Sequence, residues 1–241
     1  MVVARGEHGA PAGHSGLAVV TVDSDAVAER LADVYRRVES SGGDLARLRI
    51  VAVTKGFGPD AVMAARHAGL TDVGENYAQE LLGKVPSAPT GTNWHFLGPI
   101  QRNKVAKLAR AVSAWHGIDR PAAADSVAAA SPGAEVFVEV NVTGEVGRPG
   151  CAPAEVEDLA AHVRDLPLQL SGLMTVGPAS VGERSRECFG WLSARARELG
   201  LRELSMGMSD DFELAVAQGA TTLRLGRVLF GPRPEPAGTR G

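Results

Sequence analysis

The chain has 241 residues and a net charge of −3, with 44% hydrophobic and 22% charged residues. These values are ordinary for a globular protein, and the slightly acidic balance excludes nucleic acid or a polybasic membrane surface as the main partner. No stretch approaches the roughly 20 apolar residues that a membrane-spanning helix needs. Two cysteines are too few for a disulfide scaffold, and histidines on tails and helices without ligand spacing predict no metal site. We expect reduced thiols and a cytoplasmic location.

The first elements in chain order are a polar segment, a helix and a buried strand. Residues 1–16 are rich in glycine and histidine and predict a flexible segment rather than a signal peptide. Ser24 is the expected N-cap of a helix, after which four aliphatic residues share one face: Val27, Leu31, Val34 and Val38. The strand "LRIVAV" then ends at Thr54 and Lys55, and a helix is expected from Pro59 to Gly69.

Seven further strand patterns alternate with helical patterns along the rest of the chain. They are TDVGENY, WHFLG, VSAWHGID, AEVFVEVNV, LQLSGLMTVG, ELSMGMS and TTLRLG. Alternation requires a parallel sheet, and eight such units in about 220 residues predict a single (β/α)8 TIM-type barrel with an extra N-terminal helix. The predicted barrel covers residues 17–231, followed by a flexible tail at 232–241. A doubly wound open sheet is the alternative, but no G-x-G-x-x-G follows the first strand.

The carboxyl ends of the predicted strands carry residues suited to binding, and barrels place their chemistry at those ends. The segment "SMGMS" is expected to start a helix at Ser209, whose first amides would form an anion site. Gly226 lets the backbone approach a ligand without a Cβ in the way. Because loops after the seventh and eighth strands often form a phosphate cradle in barrels, we expect one here.

Lys55 is expected to lie across the barrel mouth from this phosphate cradle. A lysine in a partly dry mouth has a lowered pKa and can attack a carbonyl group. The pattern therefore predicts a phosphorylated carbonyl compound held as a Schiff base. The alternative, from this stretch alone, is a surface lysine at a strand exit.

Six motifs closely resemble those of the pyridoxal 5′-phosphate (PLP) homeostasis family. They are VAVTKGF, GENYAQE, WHFLGPIQRNKV, VFVEVNVTGE, GLMTVGP and LSMGMSDDFELAVAQGATTLRLGRVLFG. They occur in the family's order and span about residues 24–231 of the chain. The family is similar to the barrel domain of bacterial alanine racemase, so the resemblance implies an alanine racemase N-terminal-domain-like barrel that binds PLP.

The resemblance also implies residue roles. Lys55 would form a covalent aldimine with PLP, while Ser209 and the main chain at Gly226 and Arg227 would hold its phosphate. Arg224 would face the pyridine nitrogen, and the ring would be lined by Asn76, His95 and Met174. With Ser205 at the end of the seventh strand, the predicted cofactor-binding set is Lys55, Asn76, His95, Met174, Ser205, Ser209, Arg224, Gly226 and Arg227.

Two classes of function compete for this site. A fold-type III amino-acid racemase needs a base on each face of the α-carbon. The resembling racemases supply the second base, a tyrosine, from a C-terminal domain that we expect to be absent here. Arg224 has no acceptor and stays charged, so it disfavours protonation of the pyridine nitrogen. Both features favour a carrier or buffer of PLP that takes part in vitamin B6 and amino- and keto-acid homeostasis, with little or no catalysis.

A third class, a sugar-phosphate barrel enzyme such as an aldolase, shares Lys55 and the phosphate loops. It gives no reason for Arg224 or Asn76, so it is disfavoured. For the PLP carrier, PLP-dependent apoenzymes are the candidate recipients, and neither nucleic acid nor a membrane is expected as a partner. We expect a monomer.

Overall fold

The computed structural model describes residues 21–233 of the chain, so the predicted flexible segment 1–16 and most of the predicted tail lie outside the described residues. The strands are β1 Arg49–Val53, β2 Asp72–Glu75, β3 Asn93–Phe96, β4 Val112–Ile118, β5 Glu135–Glu139, β6 Gln169–Met174, β7 Glu203–Ser205 and β8 Thr222–Leu225. The helices are α1 Ser24–Ser40, α2 Pro59–His67, α3 Ala78–Lys84, α4 Arg102–Leu108, α5 Pro121–Ala130, α6 Val156–Arg164, α7 Glu183–Glu198, α8 Phe212–Ala217 and α9 Arg227–Phe230.

The eight strands form one closed parallel barrel in sequence order. Each strand pairs with the next, and β8 pairs with β1 in a register that runs from Arg49↔Thr222 to Ala52↔Leu225. The predicted (β/α)8 barrel is therefore confirmed, and the doubly wound alternative is wrong. All eight carboxyl ends open on the same face, so the residues that follow the strands meet at one mouth.

Close packing between the strands and the outer helices stabilises the barrel. Trp115, Phe137 and Phe189 are fully buried, and each side chain of this size contributes about 1.5–3 kcal/mol when it is removed from water. Gly172 lies where β6 approaches β7, and a Cβ at this position would come within 1.8 Å of the Glu203 carbonyl oxygen. Only glycine fits this approach of the two strands.

Helix α1 packs on the outside of the barrel through the face predicted from the sequence. Its four predicted aliphatic residues are buried, and they contact a cluster that includes α2, α8 and α9. The predicted cap was wrong by one residue. Asp23 is the N-cap, and its Oδ1 accepts the amide protons of Asp25 and Ala26 at 3.0 and 3.2 Å, while Ser24 is the first helical residue.

Two other helix boundaries differ from the prediction. Helix α2 begins at Pro59 as expected but ends at His67, before Gly69. No helix starts at Ser209: the chain makes a turn there, and α8 begins only at Phe212. The physical reason is the Asp211 side chain, whose Oδ1 accepts the Met208 amide at 2.6 Å and holds the turn closed ahead of the helix. The predicted anion site at a helix N-terminus is therefore replaced by a turn that presents the Ser209 side chain.

Two classes of feature are absent from residues 21–233. None of their helices is both long and apolar enough to cross a membrane. Nor do three or more of their histidine, cysteine and acidic side chains cluster in a way that could hold a metal ion.

Candidate cofactor site at the carboxyl end of the barrel

A cavity of about 340 Å³ opens at the carboxyl ends of the strands. Seven of the nine predicted site residues line it: Lys55, Asn76, Met174, Ser209, Arg224, Gly226 and Arg227. Val53, Leu97, Val176 and Met208 give the cavity apolar walls. The cavity therefore combines a lysine amine, several cations and an apolar slot.

Lys55 follows β1 directly and projects into this cavity. The turn that places it depends on Gly56, which has φ 76°, a left-handed conformation that favours glycine. The Gly56 amide donates to Glu80 Oε2 at 2.8 Å. Burial lowers the pKa of the Lys55 ammonium, and the neighbouring cations Arg233 and Arg224 lower it further. A lysine in this setting loses its proton more easily and becomes a better nucleophile.

A buried ion pair beneath Lys55 fixes the end of β1. Lys84 Nζ contacts Glu75 Oε1 at 2.5 Å and donates to the Thr54 carbonyl oxygen at 2.8 Å. Thr54 Oγ1 donates to the same Glu75 oxygen at 2.6 Å. Burial raises the pKa of Glu75, and the hydrogen bonds from Lys84 and Thr54 oppose this effect. The sequence does not reveal this pair, because a lysine at the end of an amphipathic helix gives no signal that it is buried.

Arg224 is a buried cation in the cavity wall, with only 5% of its surface exposed. Its Nη1 donates to Ser205 Oγ and its Nη2 donates to the Thr175 carbonyl oxygen, both at 2.8 Å. Among the described residues no carboxylate lies within ion-pairing distance of it. Burial lowers the pKa of Arg224 to about 10, and Glu139 and Asp211 oppose this shift. The guanidinium therefore stays charged at neutral pH, and no residue in the described part of the chain balances its charge directly.

Near Arg224, the cavity wall also contains polar groups suited to an anion. Ser209 Oγ accepts the Val228 amide at 3.1 Å, which ties the turn before α8 to the start of α9. Gly226 is the residue before α9, and a Cβ there would lie 3.2 Å from the Val53 carbonyl oxygen, so this position is tight for any other residue. The Arg227 side chain pairs with Asp210, and both residues line the cavity.

Two predicted residues, His95 and Ser205, are not in the cavity wall. Both are buried deeper in the barrel, where His95 contacts Asp72 at 2.8 Å and His116 at 2.9 Å. Ser205 accepts from Arg224 and contacts His116 Nδ1 at 2.9 Å. Their side chains point to the barrel axis rather than to the mouth. The alternation of residues along a strand shows which side chains point into the barrel, but it does not show how deep along the axis they lie.

Arg233 was assigned from the sequence to the flexible tail, but it lines the cavity. A Cβ added at Gly56 would lie 3.0 Å from Arg233 Cδ, which shows that the chain after α9 returns to the turn that holds Lys55. The only sequence signal was a cation two residues after Gly231. With Lys55, Arg224 and Arg227, it gives the cavity four cationic residues against the single acid Asp210.

Known proteins are similar to this chain in sequence and in structure. A family model described as "Alanine racemase, N-terminal domain" matches residues 22–234. A pyridoxal phosphate homeostasis protein of Pseudomonas aeruginosa is 42% identical over 86% of this chain and 96% of its own length. The chain belongs to the pyridoxal phosphate homeostasis protein family. A second member, from Deinococcus radiodurans, is 40% identical over 81% of this chain and 95% of its own length.

The solved structure of a similar protein contains the cofactor. PipY of Synechococcus elongatus, whose structure has PLP bound, matches with a TM-score of 0.75 and 29% identity, covering 85% of this chain and 100% of that one. The residues present in this chain fit PLP on their own chemistry. The buried Arg224 cation without a carboxylate partner suits a ring nitrogen lone pair, and a cavity with an excess of cations suits a phosphate.

Proposed function

We propose that this protein binds PLP through Lys55 and carries or buffers it inside the cell, with little or no catalysis. The observation that carries the proposal is that Lys55, with its lowered pKa, shares a cavity with a buried arginine that has no carboxylate partner among residues 21–233. When bound, PLP supplies an aldehyde that a lysine amine can attack and a pyridine ring that can withdraw electrons. The names of the relatives, pyridoxal phosphate homeostasis proteins, support the same role.

Each wall of the cavity has a proposed task. Lys55 Nζ provides the amine for the covalent link, and Arg224 donates toward the ring nitrogen. Ser209 and the main chain at Gly226 and Arg227 hold the phosphate. Asn76 and Met174 border the ring from the strand ends. Arg233 adds a cation at the rim, where it favours a doubly charged phosphate and keeps the Lys55 amine uncharged more of the time.

The same residues support binding rather than turnover. The charged Arg224 opposes a proton on the ring nitrogen, so the ring is a poor electron acceptor. Among the described residues that line the cavity, none is a tyrosine or a histidine that could serve as a second base. Tyr77 is 61% exposed and borders a neighbouring depression instead. A racemase-like enzyme of the alanine racemase type is the alternative, and it would need a base from outside this cavity.

The wider role is also part of the proposal. PLP-dependent apoenzymes are the candidate recipients of the cofactor, the proposed functional form is a monomer, and the proposed location is the cytoplasm. The scarcity of cysteine and the self-contained cavity within one barrel support these points.

The covalent link is tested by the spectrum of the PLP-loaded protein before and after borohydride. Wild type should show the visible absorbance of PLP joined to a lysine, and borohydride should fix the cofactor on a peptide containing Lys55. Lys55→Ala should lose both the band and the adduct. Lys104→Ala on α4 is the matched control and should retain them. An adduct on Lys104 or Lys107 would contradict the assignment.

The phosphate site is tested by comparing PLP with pyridoxal. Each charge-assisted hydrogen bond to the phosphate contributes about 1.5–3 kcal/mol, so PLP should bind at least tenfold more tightly. Ser209→Ala should narrow the difference between the two compounds. Ser193→Ala, on helix α7 away from the cavity, should leave it unchanged. Equal affinities in wild type would exclude the proposed phosphate site.

The carrier is distinguished from the enzyme by proton exchange. Loaded protein with L-alanine in deuterated buffer should show α-proton exchange and D-alanine near background, measured by proton NMR and chiral chromatography. A positioned base contributes roughly 10²–10⁴-fold to such a rate. Turnover of about 1 per second or faster, within the ordinary range of enzymes, would favour the racemase alternative.

A further inference from the structure

A continuous chain of hydrogen bonds crosses the interior of the barrel. It starts at Asp72 Oδ1, which lies 2.8 Å from His95 Nε2. His95 Nδ1 lies 2.9 Å from His116 Nε2, and His116 Nδ1 lies 2.9 Å from Ser205 Oγ. Ser205 Oγ accepts from Arg224 Nη1 at 2.8 Å. Four contacts therefore join a carboxylate to the arginine of the cavity.

The two ends of this chain lie at different levels of the barrel. Asp72 is the first residue of β2, and it lies at the amino end with Arg49 and Glu135, the first residues of β1 and β5. Arg224 lies near the carboxyl end of β8 and lines the cavity. The three residues between them are 0–1% exposed. The chain is thus isolated from solvent between its ends.

Counting protons gives the chain a single direction. Arg224 can only donate, so Ser205 Oγ accepts from it and gives its own proton to His116 Nδ1. His116 must then carry its proton on Nε2, which donates to His95 Nδ1. His95 in turn carries its proton on Nε2, which donates to Asp72. Both imidazoles are neutral, and every proton and every acceptor along the chain is used.

The opposite arrangement is unfavourable. A proton on His116 Nδ1 would make Ser205 accept from both neighbours, and the Ser205 proton would have no acceptor among its observed contacts. Burial holds the pKa of His116 well below its usual range, and the positive charges of Arg224 and Arg49 add to this effect.

Two further features support this arrangement. In the middle of the chain, the His116 ring stacks on Phe137, with centroids 4.3 Å apart and planes inclined by 17°. At the Asp72 end, burial opposes ionisation of Asp72, but hydrogen bonds from His95 and Thr71 leave its pKa below the ordinary value. The carboxylate is therefore charged at neutral pH and can only accept.

We propose that Asp72, His95, His116 and Ser205 form a positioning chain that orients the Arg224 guanidinium toward the bound cofactor. All four residues act through Arg224 and do not contact the cofactor. His95 and Ser205, which were predicted to bind the cofactor directly, therefore have a positioning role instead. A directed chain of buried hydrogen bonds polarises each member, so the carboxylate at the far end strengthens the hold of Ser205 on Arg224. This inference rests on the proposed binding of PLP, since it concerns how Arg224 meets the ring.

The first test replaces Asp72 with asparagine. A neutral acceptor holds His95 less firmly than a charged one, so Asp72→Asn should weaken PLP binding about fivefold and shift the absorbance maximum of bound PLP. Glu135→Gln is the matched control. It removes a carboxylate at the same end of the barrel, 22% exposed against 21% for Asp72, and should change the affinity less than twofold. Equal effects of the two variants would overturn the proposal.

The second test reads the tautomers directly and does not need the cofactor. Nitrogen-15 NMR of the imidazoles in PLP-free wild type should show His95 and His116 neutral, with the proton on Nε2 in both. A proton on Nδ1 of His116 would overturn the proposed direction. If wild type fails to bind PLP, the proposed function fails, whereas the tautomers still decide whether the chain has the direction that positions Arg224. If Asp72→Asn does not fold, this measurement still stands.

Discussion

Two buried cations lie on either side of β1, and their surroundings differ in one respect. On the β2 and α3 side, Lys84 is 6% exposed and contacts the buried carboxylate of Glu75. On the β7 and β8 side, Arg224 is equally buried but bonds only to a hydroxyl and a carbonyl oxygen. The charge of a buried cation that pairs with a carboxylate is neutralised within the protein. A buried cation with neutral partners instead keeps its charge available for a ligand.

The difference has a direct consequence for Lys55. Lys84 and Glu75 stabilise the end of β1, and through Thr54 they fix the start of the turn that holds Lys55. Arg224 stabilises little by itself, because removing its charge from water costs free energy that neutral acceptors repay only in part. We therefore expect the first pair to control folding and the second cation to control binding.

The largest effect is expected from breaking the paired side. Lys84→Met leaves the Glu75 carboxylate buried without a cation, and it should lower the free energy of unfolding by about 3–5 kcal/mol. Urea unfolding measures this loss. The double variant Lys84→Met with Glu75→Gln should recover most of it, because neither charge is then buried. A loss below 1 kcal/mol in the single variant would mean that the pair does not stabilise the barrel.

Glu139 sharpens the comparison because it is an anion near Arg224 that forms no ion pair with any described residue. Burial raises its pKa from 4.5 to about 7, and the opposing attraction of Arg224 is smaller. The unfolded chain releases this proton at lower pH than the folded protein does, so stability falls as the pH rises from 4.5 to 7. The full loss is up to about 3 kcal/mol.

Glu139→Gln removes this titration. The variant should be more stable than wild type by up to about 3 kcal/mol at pH 8 and should differ little from it at pH 4.5. Thermal unfolding at both pH values checks the sign. Glu135→Gln, at the amino end of the same strand, is the control. A variant that gained stability equally at both pH values would contradict the assigned pKa.

The smallest effect on stability is expected from the unpaired cation. Arg224→Met loses two hydrogen bonds but also the cost of a buried charge, so its free energy of unfolding without PLP should lie within about 1 kcal/mol of wild type. Its affinity for PLP should nevertheless fall clearly. Destabilisation as large as that of Lys84→Met would show that Arg224 is structural and would remove the contrast between the two sides.

The sequence predicted the barrel and most of the cavity for a simple physical reason. Buried parallel strands appear as aliphatic runs whose carboxyl ends lie at the mouth. This places Lys55 and Asn76, which follow β1 and β2, and Arg224, which lies near the end of β8. Ser24 was misplaced as a cap, because the Asp23 side chain reaches the free amides of α1. Ser209 was misplaced as a helix start, because the Asp211 side chain accepts the Met208 amide and holds a turn ahead of α8.

What the sequence could not show is the depth of a side chain along the barrel axis. His95 and Lys55 both occur near strand ends, but only Lys55 reaches the cavity. Nor could it show the burial of Lys84, since a helix of seven residues with a lysine in its last turn normally exposes it. These facts follow from contacts between residues distant in sequence.

The pairing of β1 with β8 has a consequence for how the protein folds. These strands come from opposite ends of the barrel sequence, so their contact can form only after all eight strands have been made. Lys55 follows one strand of this seam, and Arg224 lies in the other. The cavity does not exist until the ring is closed, so a partly synthesised chain holds the lysine without its binding site. Capture of PLP thereby marks the completion of folding.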